Sequence, residues 1–101
     1  MQEIANVYAR ALFAAALDKG DLDKVRAQLG QFVEAMLENQ SLRLFFYSPY
    51  FTSVEQKEAL TKTLTGADPL LSNFLALLIE AHRMPVLPAI RSRFEELWDQ
   101  E

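Results

Sequence analysis

From Ile4 to Leu17 the chain reads IANVYARALFAAAL, and only Asn6 and Arg10 interrupt the run of apolar side chains. Stepped at about 100° per residue around a helix, those two positions mark a narrow polar arc. A surface helix normally shows an apolar stripe of roughly 100° or somewhat more towards its core. Here the apolar surface covers most of the circumference. One side, with Ala9, Leu12, Phe13 and Ala16, carries bulky groups suited to a core. The other, with Ile4, Tyr8, Ala11 and Ala15, pairs two anchors with small residues, so another backbone has room to approach. Two faces fit for burial predict either a central position in a bundle or a docked partner.

The rest of the chain keeps helical spacing. Gly20 stops the first helix and Asp21 is placed to cap a second. That second helix carries Leu22, Val25, Leu29, Phe32, Val33, Met36 and Leu37 at a period near 3.6 residues. Gly30 in its middle costs about 1 kcal/mol relative to alanine, which close helix contact would offset. After Asn39, Leu42, Phe45 and Phe46 mark a short helix that Ser48-Pro49 ends, because proline pushes the preceding residue out of the α region. Thr52 or Ser53 caps a fourth helix, with Glu55 and Gln56 as the two possible capping-box partners. Its apolar face is thin: Ala59, Leu60 and Leu64. Gly66 closes it, Asp68 caps a fifth helix, and Pro69 takes the first helical position, where a missing N–H is harmless. The fifth helix, Pro69 to Ala81, is the most hydrophobic after the first, leaving Ser72, Asn73, Ala76 and Glu80 as a narrow lip. Met84-Pro85 breaks the chain again. A sixth helix lines up Leu87, Ile90, Phe94, Leu97 and Trp98, with Pro88 in its first turn. Trp98 completes that stripe and is expected to be at least half buried. No segment alternates convincingly with period two. The pattern predicts one all-α domain over residues 1–101, a bundle of about six helices with short connections.

Composition narrows the chemistry. Half of the residues are hydrophobic, so the chain can build a core. A net charge of −4 argues against a nucleic-acid binder, which usually presents a basic stripe. The chain has no cysteine, which removes disulfides, thiol catalysis and thiolate metal sites together. No apolar run approaches the ~18 residues of a membrane span. No basic region precedes the apolar start, so no secretory signal is expected, and the Ala-rich start with acidic neighbours differs from an Arg- and Ser-rich organelle presequence. These features predict a soluble intracellular domain or a fragment of one.

Catalytic patterns are missing. His82 is the single histidine and stands at the end of the fifth helix, two residues from Glu80, so the pair projects to different sides. It reads as a helix C-terminal residue favourable to the macrodipole. The three glycines lie far apart and form no phosphate loop. Glu95-Glu96 and the acids from Asp18 to Asp23 have basic neighbours and read as solvated faces, with Arg91 and Glu95 spaced for an i, i+4 pair. The expectation is no catalytic residue, no cofactor and no metal site.

Distributed motifs carry a family resemblance. They are the opening IANVYARALFAAAL with its Gly20-Asp21-Leu22 turn, ENQSLRLFFYSP over Glu38 to Pro49, TSVEQK over Thr52 to Lys57, and NFLALLIEAHRMPVLPAIRSRFEELW over Asn73 to Trp98. In this order and spacing the chain resembles the N-terminal domain of the delta subunit of F-type ATP synthases, the oligomycin-sensitivity-conferring protein of mitochondria. The Tyr-Ala-x-Ala-Leu-Phe start joined to Arg-x-x-x-Leu-Pro is its most specific part.

The resemblance implies a non-catalytic clamp at the top of the peripheral stalk. An amphipathic helix from the N-terminus of an alpha subunit would lie in a groove between the first and fifth helices. Ile4, Tyr8, Ala11 and Ala15 would line one side, and Asn73, Ala76, Leu77 and Glu80 the other. The static head would thereby be tied to the b subunits of the stalk during proton-driven ATP synthesis, at the cytoplasmic side of a bacterial membrane and without direct insertion. Two departures stand out. Where family members often have Asn-Gly before an arginine, this chain has Ala81-His82-Arg83, so His82 either takes the left-handed conformation or the helix ends differently. The family's chains also continue into a C-terminal region that contacts the b subunits, whereas this one stops at Glu101. The alternative is an RNA-binding antitermination factor of the NusB type, also all-α with an Ala- and Arg-rich first helix. Its basic surface is not evident, since Arg10, Arg26, Arg43, Arg83, Arg91 and Arg93 are dispersed.

Overall fold

The computed structural model describes residues 2–100; the terminal Met1 and Glu101 of the expected domain lie outside them. Six α-helices follow in order: α1 Gln2–Lys19, α2 Leu22–Glu38, α3 Gln40–Tyr47, α4 Ser53–Thr63, α5 Pro69–Glu80 and α6 Leu87–Gln100. A 3₁₀ turn, Met84–Val86, precedes α6. No strand occurs among the described residues.

The core is where the apolar stripes converge. Ala5, Ala9, Leu12 and Ala16 of α1 are buried together with Val25, Leu29 and Val33 of α2, Leu71, Leu75 and Leu78 of α5, and Ile90 and Phe94 of α6. The alanines of α1 let α6 run close along it in the most extensive helix contact of the bundle, and Phe13 meets Phe94 edge-on with ring centres 5.5 Å apart. Trp98 is half-buried as expected. Its indole N–H donates to Asp23 Oδ1 at 3.1 Å, and the Arg26 guanidinium lies 3.9 Å from its ring centre.

Gly30 is buried beneath an arginine rather than another backbone. A β-carbon there would come within 2.9 Å of the Arg91 guanidinium. Arg91 in turn reaches Glu34 at 3.4 Å and Glu95 at 3.8 Å, and Glu95 receives two nitrogens of Arg26 at 2.8–3.1 Å. Glu95, read from sequence as solvated, therefore joins α6 to α2.

The local stop and start signals behave in instructive ways. Thr52 is the cap of α4 and Glu55 its capping-box partner: Thr52 Oγ1 accepts from the Glu55 N–H at 3.1 Å, and Glu55 accepts from the Thr52 N–H at 2.9 Å. Gln56 is thus free for another task, and its amide donates to the carbonyls of Phe45, Ser48 and Phe46 at 2.9, 3.3 and 3.4 Å, capping the end of α3 from α4. Asp21 occupies the N-cap position of α2 but makes no side-chain cap bond; its carboxylate lies 3.5 Å from Lys19 Nζ.

Asp68 does cap α5. Only 1% exposed, it accepts from the Leu70 N–H at 2.9 Å and from Lys19 Nζ at 3.2 Å, while its own N–H donates to Gln28 Oε1 at 2.8 Å. Hydrogen bonding with Asp21, then with the Leu70 N–H, and finally Lys19 hold its carboxyl down at about 2 against the opposing push of burial.

Both α1 and α5 end in the same six-residue hydrogen-bond pattern. After α1, Gly20 has φ 81°, with Asp21 N–H donating to Ala16 and Gly20 N–H to Leu17. After α5, His82 occupies the glycine position at φ 57°, with Arg83 N–H donating to Leu78 at 2.8 Å and His82 N–H to Ile79 at 3.1 Å. The left-handed cap is kept without glycine, at a steric cost of about 1 kcal/mol.

Two expectations follow. His82→Gly should stabilise the domain by about 1 kcal/mol and raise its melting temperature by roughly 4–8 °C; an unchanged or lower melting temperature would show that the turn is not strained. Because the Asp68 carboxyl is depressed on folding, its contribution is complete above the ordinary value of 3.8 and drains away as pH falls towards about 2. Asp68→Asn should therefore flatten the acid dependence of stability in that window, and urea midpoints falling equally steeply in both proteins would contradict it.

Candidate functional site

α1 has an unusual division of labour. Of its two polar interruptions, Asn6 is used inward: its Oδ1 accepts from Arg93 Nε of α6 at 2.8 Å and from Arg10 Nε at 3.2 Å. Between the charged Glu3 and Arg10 near its start and Asp18 and Lys19 at its end, α1 also presents apolar side chains to solvent. Ala11 and Ala14 are exposed, and Val7 and Leu17 are 66% and 46% exposed. Beside this strip, Ile4, Tyr8 and Ala15 are half-buried and share the flank of α1 that meets α5. The junction is marked by Tyr8, whose ring stands edge-on to Phe74 with centres 6.2 Å apart.

The four α5 positions expected to face this flank divide. Asn73 and Leu77 are exposed, Leu77 by 54%. Glu80 forms an ion pair with Lys57 of α4, and the lysine holds its carboxyl below the ordinary range. Ala76, one turn before Glu80, is half-buried and lies about 200° around α5 from Phe74. Asn73 and Leu77 are thus the outer edge, while Ala76 and Glu80 tilt towards α4. The sequence pattern did not single out Val7 or Ala14. Their signal is the gap they fill opposite the buried stripe, where a lone surface helix would carry polar residues.

The resulting surface is a shallow apolar face, with small alanines on α1 between bulkier Tyr8, Val7 and Leu77. It suits a helix whose apolar side chains recur at i, i+3, i+4 and i+7. Among the described residues no cluster of three or more His, Cys, Asp or Glu side chains could hold a metal ion. His82 is exposed in its turn. No helix among these residues is long and apolar enough to cross a membrane.

Known proteins share this architecture. The family described as ATP synthase delta (OSCP) subunit matches residues 4–101. An ATP synthase subunit delta of Rubrobacter xylanophilus is 36% identical over 92 residues, covering 91% of this chain and 51% of that protein. The chloroplastic subunit delta of Gracilaria tenuistipitata is 33% identical over 98 residues, covering 96% of this chain and 53% of its own length. The chain thus spans about half the length of these curated relatives. The fold is also that of a chain in the Polytomella F-ATP synthase (rotary substate 2A), with a TM-score of 0.84 at 23% identity, covering 93% of this chain and 84% of that one. With the family match spanning residues 4–101 and relatives 36% and 33% identical over most of its length, this chain belongs to the ATP synthase delta (OSCP) subunit family.

Proposed function

We propose that this chain is a non-catalytic part of the stator of an F-type ATP synthase and that it holds the N-terminal helix of an alpha subunit against α1 and α5. Family membership supplies the complex. The apolar strip on α1, open to solvent next to Tyr8 and Leu77, is the observation that supports the docking site. An exposed strip of this kind favours burial by association, since each apolar side chain withdrawn from water contributes roughly 25 cal/mol per Å². Ala11 and Ala15 form the floor on which the incoming backbone rests. Tyr8 and Leu77 are the walls, and Asn73 is the polar group at the rim, while Glu80 is engaged by Lys57 of α4.

The mechanical role follows from the attachment. The head experiences torque from the rotor during proton-driven synthesis, and a fixed grip on one alpha subunit resists its rotation. Linkage to the b subunits falls mainly to the C-terminal region of the longer relatives. The membrane is then approached only through the complex, peripherally and on the cytoplasmic side in a bacterium.

Ala11→Arg tests the docking face directly. Ala11 is exposed, so the fold should persist with a melting temperature within a few degrees of the unmutated chain. Titration calorimetry with a peptide of the first ~20 residues of the alpha subunit from the same synthase should show binding abolished. Unchanged affinity, or a collapse of the melting temperature, would place Ala11 outside the groove. The two walls should also differ. Tyr8→Ala should cost about 1–2 kcal/mol in urea unfolding through its contact with Phe74, whereas Leu77→Ala should change stability by less than about 0.5 kcal/mol while weakening the peptide. Equal stability losses would contradict this division.

A further inference from the structure

We propose that Lys19 and Asp68 are positioning residues, a polar tie that sets the separation of α1 and α5 at one end of the groove; the proposal rests on the docking face described above. Going back along α1 from Lys19, the residues on the flank beside α5 are Ala15, Ala11, Tyr8 and Ile4. Tyr8 meets Phe74, but Ala11 and Ala15 are too short to set a distance to anything. The buried sides of the two helices meet in the core, but at their open edge the ring contact at Tyr8 does not by itself keep the gap from widening. The second fixed point is at the end of α1, where Lys19 Nζ reaches Asp68 Oδ1 at 3.2 Å.

The anchor at the far side is rigid. Asp68 is buried, its carboxylate accepts from Leu70 N–H at 2.9 Å and its N–H is held by Gln28 of α2 at 2.8 Å. Those bonds fix the start of α5 on α2 without any help from α1. Lys19 adds the connection to α1, and it adds little else, since its side chain is half-exposed and also leans on Asp21 at 3.5 Å. Surface ion pairs are weak as stabilising elements. This one differs because one partner is buried and immobile, so the pair acts on geometry more than on stability. A partner helix resting on Ala11 and Ala15 would feel the width of the gap directly, because no side chain there can adjust to a wider one.

The test compares Lys19→Met, which keeps the aliphatic stem, with Lys19→Arg, which keeps the charge. Two measurements are made on each folded chain: ring-to-ring nuclear Overhauser contacts between Tyr8 and Phe74, and calorimetric affinity for the N-terminal alpha-subunit peptide. Lys19→Met should bind the peptide about three- to tenfold more weakly and show weakened ring contacts, with a melting temperature within a few degrees of the unmutated chain. Lys19→Arg should restore both. Unchanged ring contacts and affinity in Lys19→Met would overturn the proposal, as would a loss of affinity that Lys19→Arg fails to restore. If the unmutated chain does not bind the peptide, the docking face itself is wrong, and the ring contacts alone then decide: weakening in Lys19→Met supports the tie and no change refutes it. Should Lys19→Met fail to fold, raising the salt concentration on the unmutated chain screens the same pair. The Tyr8–Phe74 ring contacts should then weaken, and contacts indifferent to salt would refute the tie.

Discussion

The packing of α1 against α6 governs the rest of this molecule. Ala5, Ala9 and Ala16, with Leu12 between them, are almost wholly buried, and they give α1 a narrow contact stripe of small side chains. A narrow stripe allows α6 to lie close and fixes which way α1 is rotated. Asn6 then finds Arg93 and Phe13 finds Phe94. Once that rotation is set, no freedom remains to bury Val7, Ala11 and Ala14 as well. The apolar surplus on α1 is a consequence of how tightly its opposite side is used.

Around this pair, the shorter elements are held by polar groups that reach across turns. Arg43 of α3 donates to the Met36 carbonyl at the end of α2 at 3.0 Å. Gln56 of α4 does the same for three carbonyls around the end of α3. Helix ends leave carbonyls without partners, and in a domain of short helices these ends are a large share of the backbone. Each is closed by a neighbour in sequence order, so the chain is stitched forward from α2 to α4 before α5 returns to the core.

Much of the fold was legible in the sequence because its signals are local. The caps at Thr52 and Asp68, the proline at the start of α5 and the glycine after α1 act within a few residues, and periodicity assigned the buried stripes except at Leu37, which the last turn of α2 leaves 53% exposed. The choice between Glu55 and Gln56 could not be made locally. It is decided by the α3 carbonyls that claim Gln56. Asp21 likewise stands at a cap position but faces Lys19 across the turn. At the candidate site, the shared flank of Ile4, Tyr8, Ala11 and Ala15 follows from helical geometry alone. The sides taken by Ala76 and Glu80 do not, because they depend on where α4 lies, and Lys57 is far away in sequence. The resemblance left the conformation of His82 open, and the positive φ resolves it.

The ion pairs over Gly30 have a further consequence, for registry. Along the seam of α2 and α6 the charges alternate: Arg26 against Glu95, Glu34 against Arg91. Glu95 and Arg91 are one helical turn apart. If α6 slid by one turn along α2, Arg91 would take the place of Glu95 and confront Arg26, like charge against like. Apolar side chains of similar size tolerate such a slip far better than this sequence of charges does. The seam therefore works as a key with a single setting, and α1, which is positioned by α6, inherits that setting.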